Sequence, residues 1–200
     1  KLVPHVRRAI HGEMADQLSV LPGEVLISRN AVMAPASLDG VESREEPDMV
    51  VGSNCELVVK DVKPESCDLA DFGLMNEGKI QNCPVIDTLM VNVFSGEVEL
   101  SLRLAPPAGS NARKLLDSTL KRLRNQARDA GKKDGRLLWR KFFLVRDAFA
   151  SLAPAAVLTV HRSQGSSFGE VFIASDVFWP NDLVLRKQLV YVAVSRAVNN

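Results

Sequence analysis

Two stretches of the sequence are rich in β-branched and apolar residues, and each is interrupted once by a turn signal. Residues 49–62 contain Gly52-Ser53-Asn54, and residues 85–104 contain Ser95-Gly96. Strand-like runs on both sides of a short turn predict β-hairpins. Together with a predicted strand at residues 23–29, the two hairpins predict a small antiparallel β unit over residues 23–105, with turns spaced as in a barrel.

The charges of the chain are segregated, although the whole sequence has a net charge of only +1. Residues 23–105 contain 15 acidic and 6 basic residues, whereas residues 106–147 contain 12 basic and 4 acidic ones. The acidic segment predicts a docking surface for a basic protein partner and a poor surface for nucleic acid. The basic segment can attract a polyanion, because clustered cations create a local positive potential.

Residues 106–150 have the pattern of two helices, one over 111–130 and one over 136–150. Apolar residues at helical spacing define an inward face on each helix. These residues are Leu115, Leu116, Leu120, Leu123, Leu137, Leu138, Phe142, Val145 and Phe149. The basic side chains have two interpretations, a solvated face around this apolar stripe or a track for a phosphate backbone. Trp139 is the best candidate for stacking on a nucleic-acid base.

The two ends of the chain predict an α/β domain. Residues 1–20 have a helical apolar pattern, and residues 34–48 have the composition of a loop. The apolar runs at 155–160 and 170–175 suit buried strands of a parallel sheet. A final helix is predicted to be capped by Asn181 or Asp182 and to extend through Arg196. A strand, loop, strand and helix in this order are typical of α/β folds.

The composition limits the other classes of protein. With 46% hydrophobic residues the chain can bury a core, and no uncharged apolar run approaches the roughly 18 residues of a membrane span. The three cysteines, Cys55, Cys67 and Cys83, have no disulfide or metal spacing, so we expect reduced thiols, no metal site and a cytoplasmic, intracellular protein.

Two short segments near the C-terminus carry polar side chains at loop and helix-end positions. They are TVHRSQG at 159–165 and YVAVSRA at 191–197. Taken separately, His161 is a surface histidine and Arg196 is a cation that the helix dipole favours. Together, in this order and at this spacing, they resemble motifs V and VI of the superfamily-1 helicases. The resemblance is best to the 5′-to-3′ RecD-like and Dda-like branch, in its UvrD-like C-terminal region.

The resemblance implies a fold and a domain organisation. A RecA-like (P-loop NTPase type) parallel-sheet α/β domain, called 2A, would begin in residues 1–22 and continue in 151–200. An SH3-like β-barrel, called 2B, would be inserted over residues 23–105, and 106–150 would be the basic helical segment. The stretches 6–12, 22–30 and 49–62 also resemble corresponding parts of these helicases. We therefore expect a C-terminal portion that works with an N-terminal RecA-like domain.

The resemblance also implies roles for individual residues. Arg196 would be the arginine finger that stabilises the charge of the γ-phosphoryl group during ATP hydrolysis. Gln164 and Gly165 would belong to the nucleotide-binding loop, with Gly165 allowing a close backbone approach. Single-stranded DNA would be contacted by Thr159, His161, Ser163 and, on the helical segment, Trp139. Many members place Glu, an acceptor for the ribose, at the position of Ser167.

The ATP and Mg²⁺ site would be completed outside this sequence. No GxxxxGK[ST] motif occurs in the 200 residues, and no Walker B carboxylate follows a buried strand. We therefore expect the Mg²⁺ ligands on the N-terminal RecA-like domain and no ATPase activity from this chain alone. Two alternatives stay open, a RecD-type subunit of an exonuclease complex and a non-catalytic DNA-binding or protein-interaction module that retains the helicase fold.

Overall fold

The computed structural model describes residues 2–33, 48–72, 74–76, 79–80, 83–165 and 167–198. The chain divides into two compact units, residues 1–155 and residues 156–200. Of the loop predicted at 34–48, only Asp48 lies within the described residues.

Helices and strands alternate irregularly along the first unit. Its helices are α1 (Leu2–His11), α2 (Met14–Gln17), α3 (Asn111–Asp129) and α4 (Lys132–Asp147). Its strands are β1 (Val25–Ser28), β2 (Val32–Met33), β3 (Met49–Val51), β4 (Glu56–Asp68), β5 (Met75–Asn76), β6 (Lys79–Ile80), β7 (Val85–Ser95), β8 (Val98–Arg103) and β9 (Leu152–Pro154). The second unit contains a 3₁₀ turn (Ser175–Phe178) and α5 (Leu183–Val194).

A five-stranded antiparallel sheet forms the centre of the first unit, in the order β8-β7-β4-β1-β9. The predicted hairpin at Ser95-Gly96 is confirmed, since β7 and β8 pair up to Ser95 opposite Val98. Gly96 adopts a positive φ of 62° in this turn, which a glycine tolerates without a Cβ clash. Alternation at the start of β4 buries Leu57 and Val59 and exposes Glu56, Val58 and Lys60.

The predicted hairpin at Gly52-Ser53-Asn54 is wrong. Strand β3 pairs with β2, whereas β4 pairs with β1 and β7. The end of β1 explains this difference, because the Ser28 hydroxyl donates to the Gly52 carbonyl at 2.6 Å and accepts from the Cys55 amide at 2.9 Å. The Asn54 amide also donates to the Ser28 carbonyl at 2.9 Å. The turn residues are therefore bound to β1, and the chain passes from one strand pair to another.

A closed SH3-like barrel is not shown by the described residues. β8 and β9 are the edge strands of the main sheet, and an isolated parallel bridge between Leu104 and Ala150 links the chain just beyond β8 to the chain just before β9. The sheet also takes β9 from outside residues 23–105, with Leu26 opposite Pro154 and Ile27 opposite Ala153. The fold is mixed α/β, as predicted, and its sheet is antiparallel.

The two predicted parallel strands are also wrong. Residues 155–160 and 170–175 contain no strand, and the backbone there forms turns and irregular structure. A strand requires a neighbour for its backbone hydrogen bonds, and no described strand pairs with either segment. Phe172, predicted to be buried, exposes 95% of its surface.

The predicted helix at residues 1–20 is interrupted. Gly12 has a φ of +65°, which ends α1 before the short α2 begins. A buried ion pair fixes this region to β1, because Arg7 Nε lies 2.7 Å from Glu24 Oε1. Arg7 also donates to the carbonyls of Ala15 and Leu18, and Glu24 accepts from the Leu21 amide.

The two predicted basic helices are confirmed as α3 and α4, although α4 begins four residues earlier than expected. Ser110 caps α3 by accepting from the Arg113 amide at 3.1 Å. Leu116, Leu123, Val145 and Phe149 are buried together in one cluster with part of the sheet. Leu115 and Leu137, predicted to face inward, are 43% and 46% exposed.

A second ion pair lies on the sheet surface. Arg103 donates to both carboxylate oxygens of Glu65 at 2.7 and 2.8 Å, and this hydrogen bonding raises the pKa of Arg103. Burial raises the pKa of the nearby Cys67 thiol, which disfavours its reactive thiolate form. Cys55, Cys67 and Cys83 are all free thiols. None of the described helices is both long and apolar enough to cross a membrane.

Candidate functional site

The segment 159–165, predicted to be a functional loop, is a compact turn. The Thr159 carbonyl accepts hydrogen bonds from the amides of Arg162 at 2.9 Å and Ser163 at 3.1 Å. The Ser163 hydroxyl donates to the Val160 carbonyl at 2.8 Å. These local bonds leave the side chains of Thr159, His161 and Gln164 exposed to solvent. The turn therefore presents three of its polar side chains and uses the hydroxyl of Ser163 to hold its own shape.

Gly165 ends this turn in the left-handed region of backbone conformation. Its φ is +89°, and a Cβ built on it would meet no atom within 4 Å. The requirement for glycine is therefore conformational, since there is open space for a side chain but an L-residue is strained at this φ. The open side also leaves the backbone accessible to a ligand.

Helix α5 positions the second predicted segment. Asp182 is its N-cap, and the Asp182 carboxylate accepts from the amides of Val184 at 2.8 Å and Leu185 at 3.2 Å. This selects Asp182 from the two predicted caps. Arg186 donates twice to the Pro180 carbonyl, at 2.8 and 3.0 Å, which fixes the chain that leads into the helix.

Arg196 lies in a turn that follows the last residue of α5, Val194, so the helix ends earlier than predicted. Its guanidinium is half-buried and folded back on the helix end. Nε donates to the Val192 carbonyl at 3.2 Å, and Nη2 donates to the Ser195 hydroxyl at 3.0 Å. This bonding at the end of a helix agrees with a cation that the helix dipole favours. The partner is a C-terminal carbonyl, which a helix leaves without an intrahelical donor.

Backbone hydrogen bonds join the chain just beyond the first predicted segment to the end of the second. The Phe168 amide donates to the Arg196 carbonyl at 2.8 Å, and the Val198 amide donates to the Phe168 carbonyl at 2.9 Å. Phe168 and Ala197 thereby form an isolated parallel bridge. The chain just beyond Gly165 is consequently fixed beside Arg196, although about thirty residues separate them in sequence. Sequence patterns missed Phe168, because a one-residue bridge has no periodic signal.

Trp139, the predicted stacking residue, belongs to the other unit. Its half-buried ring packs edge-on against Phe142, with centroids 5.5 Å apart, and stacks on Phe143 at 5.9 Å. Arg146 lies over the Phe143 ring at 4.6 Å. Trp139 therefore has aromatic neighbours on its own helix that occupy part of its surface.

The donors in the second unit suit an anionic ligand. Gln164 presents a neutral amide, and Arg196 presents a planar cationic group with several N–H donors, which match phosphate oxygens. Across the described ranges, no group of three or more His, Cys, Asp or Glu side chains is placed to hold a metal ion.

Comparison with known families gives a class for the part of the chain that contains these segments. Residues 154–199 match the family model described as UvrD-like helicase C-terminal domain. This match supports a superfamily-1 helicase C-terminal region and a helicase-related function over about the last quarter of the chain. A search of curated proteins found no significant match.

Proposed function

We propose that this chain is the C-terminal 2A/2B portion of an ATP-dependent DNA helicase that translocates on single-stranded DNA, in the 5′-to-3′ RecD-like or Dda-like branch. In this proposal, residues 1–22 and 151–200 contribute to a RecA-like domain, residues 23–105 are the inserted SH3-like domain, and 106–150 are the basic segment. An N-terminal RecA-like domain supplies the phosphate-binding loop and the Mg²⁺ ligands. ATP is the substrate.

One observation carries the proposal. The hydrogen bonds of Phe168 with Arg196 and Val198 join the chain three residues beyond the 159–165 turn to the end of α5. A DNA-translocating motor needs such a connection, because ATP hydrolysis must change the affinity for DNA through the structure that joins the ATP site to the DNA contacts. The family match over residues 154–199 covers both segments and supports the same interpretation.

Arg196 acts on the transferred phosphoryl group in this proposal. Its guanidinium leaves the Val192 carbonyl and the Ser195 hydroxyl and donates to the γ-phosphoryl oxygens when ATP is bound. The exchange replaces bonds to neutral acceptors with bonds to an anion, and the planar guanidinium can bind phosphate oxygens in a bidentate manner. Gln164 binds the nucleotide from the neighbouring turn.

The DNA contacts come from the exposed side of the turn. Thr159 and His161 can donate to phosphate or base oxygens. Ser163 differs, because its only hydroxyl proton is already donated to the Val160 carbonyl. In this geometry Ser163 accepts from a base or maintains the turn and does not donate to a phosphate.

The decisive experiment replaces Arg196 in the protein that contains both RecA-like domains. Arg196→Ala is expected to lower kcat by roughly 10³–10⁵-fold, or about 4–7 kcal/mol, while ATP binding stays nearly intact. Arg196→Lys should recover little, because an ammonium does not reproduce the forked guanidinium. Lys187→Ala is the matched control, since it removes an exposed cation from the same helix.

Two results would contradict the proposal. The first is an Arg196→Ala protein that keeps more than about a tenth of the wild-type rate. The second is ATP turnover by the 200-residue chain alone, which is expected to show none. Full-length protein without any ATPase activity would favour the alternative, a non-catalytic binding module whose acidic β surface docks a protein partner.

A further inference from the structure

We propose that the exposed face of α3 binds the phosphate backbone of nucleic acid, as a second contact surface outside the segments that resemble helicase motifs. We call this face the α3 stripe and define it by Lys114, Lys121, Arg124 and Arg128. All four side chains are exposed and lie on one helix. The inference rests on the proposed function only in taking nucleic acid as the polyanion.

The geometry of α3 places these cations in one line. At 100° and about 1.5 Å per residue, they fall within an arc of roughly 80° and extend over about 21 Å. The opposite face contains Leu116 and Leu123, which are 3% and 4% exposed and pack into the core. The core therefore fixes which side of the helix faces solvent.

The stripe has little opposing charge of its own. Asp117 is the acidic residue within the arc, and it is paired with Arg113 at 2.9 Å. Among the described residues, no carboxylate lies within ion-pair distance of Lys114, Lys121, Arg124 or Arg128. The exposed carboxylate of Glu99 on the sheet, by contrast, has a local partner in Lys60 at 2.8 Å.

Helix stability does not explain the charge pattern. The first turn of α3 contains no acidic residue, and Arg113 and Lys114 lie there. Cations near a helix N-terminus are unfavourable, because they face the positive end of the helix dipole. Residues that are unfavourable for the local structure, as these cations are in the first turn, are typical of positions that serve a function.

The shape of the stripe favours a nucleic-acid backbone over a lipid surface. A membrane-binding amphipathic helix needs a free apolar face, and the apolar face of α3 is buried against α4 and the sheet. About 21 Å of duplex presents roughly six phosphates per strand, so several cations can each meet a phosphate.

Fluorescence anisotropy of the 200-residue chain with a labelled oligothymidine and with a duplex of equal length tests the inference. The test variant is Lys121→Ala/Arg124→Ala. The matched control is Arg8→Ala/Lys63→Ala, which removes two exposed cations elsewhere in the same unit, with side chains 63% and 69% exposed. Alanine favours helices, so α3 should remain folded, which circular dichroism verifies.

The slope of log affinity against log salt is the readout. The test variant should lower the magnitude of this slope by about 1.4 on the single strand, or by about 1.8 if the duplex is the ligand. The control should leave it unchanged. Equal slopes for wild type and test variant, tighter binding to phosphatidylserine vesicles than to either oligonucleotide, or no binding at low salt would each overturn the inference.

A third variant separates this inference from the proposed function. His161→Ala should weaken single-strand binding while all four cations of the α3 stripe remain in place. If His161→Ala has no effect while the α3 variant changes the slope, the α3 surface stands and the DNA role of the 159–165 turn fails. The opposite pattern supports the turn and overturns the α3 stripe.

Discussion

The two units of the molecule differ in how their structure is maintained. The first unit contains two clusters of buried hydrophobic residues that join the sheet to its surrounding elements. In the described part of the second unit, Val177 and Ala193 are the buried hydrophobic residues, while Phe172, Trp179 and Tyr191 are 95%, 72% and 73% exposed. The segment with the family match is thus the one with little core of its own.

This difference explains which kind of sequence evidence is informative in each unit. In the first unit, apolar burial decides the structure, and many sequences can supply it. In the second unit, a turn, a helix cap and two bridging hydrogen bonds hold the described backbone. In the second unit, motif residues pointed to the family that matches residues 154–199, whereas in the first unit apolar periodicity predicted α3 and α4.

The largest effect on stability is expected from breaking the buried ion pair of the first unit. Arg7→Met leaves the Glu24 carboxylate, only 3% exposed, without its cationic partner. We expect the free energy of unfolding of the first unit to fall by about 3–5 kcal/mol. Urea denaturation followed by circular dichroism measures this change.

The neighbouring arginine supplies the control. Arg8 pairs with Asp16 at 3.5 Å, and both side chains are more than half exposed, so Arg8→Met should cost at most about 1 kcal/mol. The double variant Arg7→Met/Glu24→Leu should recover much of the loss, because it removes the unpaired charge. Equal stability of the two single arginine variants would refute the importance of this pair.

Local patterns predicted much of the first unit. The Ser95-Gly96 turn, β1 and the helices α3 and α4 follow from turn chemistry and apolar spacing. The pairing of β4 did not follow, because Ser28 draws Gly52 and Cys55 to the end of β1 through side-chain hydrogen bonds. Such long-range bonds leave no periodic trace in a sequence.

In the second unit, the sequence indicated individual motif residues, but the strands predicted around them were wrong. Thr159, His161, Gln164 and Arg196 were identified as motif residues, and their roles stay predictions. The strand predictions beside them were wrong, because an apolar run becomes a strand only where a neighbour pairs with it. Sequence identified the polar residues of the candidate site and not the backbone that surrounds them.

An intermediate effect is expected at Gly165. Replacing it with alanine introduces a Cβ at a φ of +89°, which should destabilise the turn by about 1–2 kcal/mol. Hydrogen exchange of the Phe168 and Val198 amides should then become roughly 5–30-fold faster, because opening of the turn releases both bonds. Gly169→Ala is the matched control, since Gly169 has equal space and no positive φ. Unchanged exchange in Gly165→Ala would show that the bridge is independent of the turn.

The smallest expected effect is loss of the α5 cap, and it tests whether the second unit is held locally. Asp182→Ala removes the acceptor for the Val184 and Leu185 amides, which should cost about 1 kcal/mol. Exchange of these amides should accelerate by roughly fivefold, while the core amides of β4 and β7 stay unchanged. Asn181→Ala is the control, since the adjacent Asn181 side chain is exposed and makes no cap bond. If Asp182→Ala also accelerates exchange in β4 and β7, the two units unfold together, and the contrast between a core-stabilised and a locally held unit is wrong.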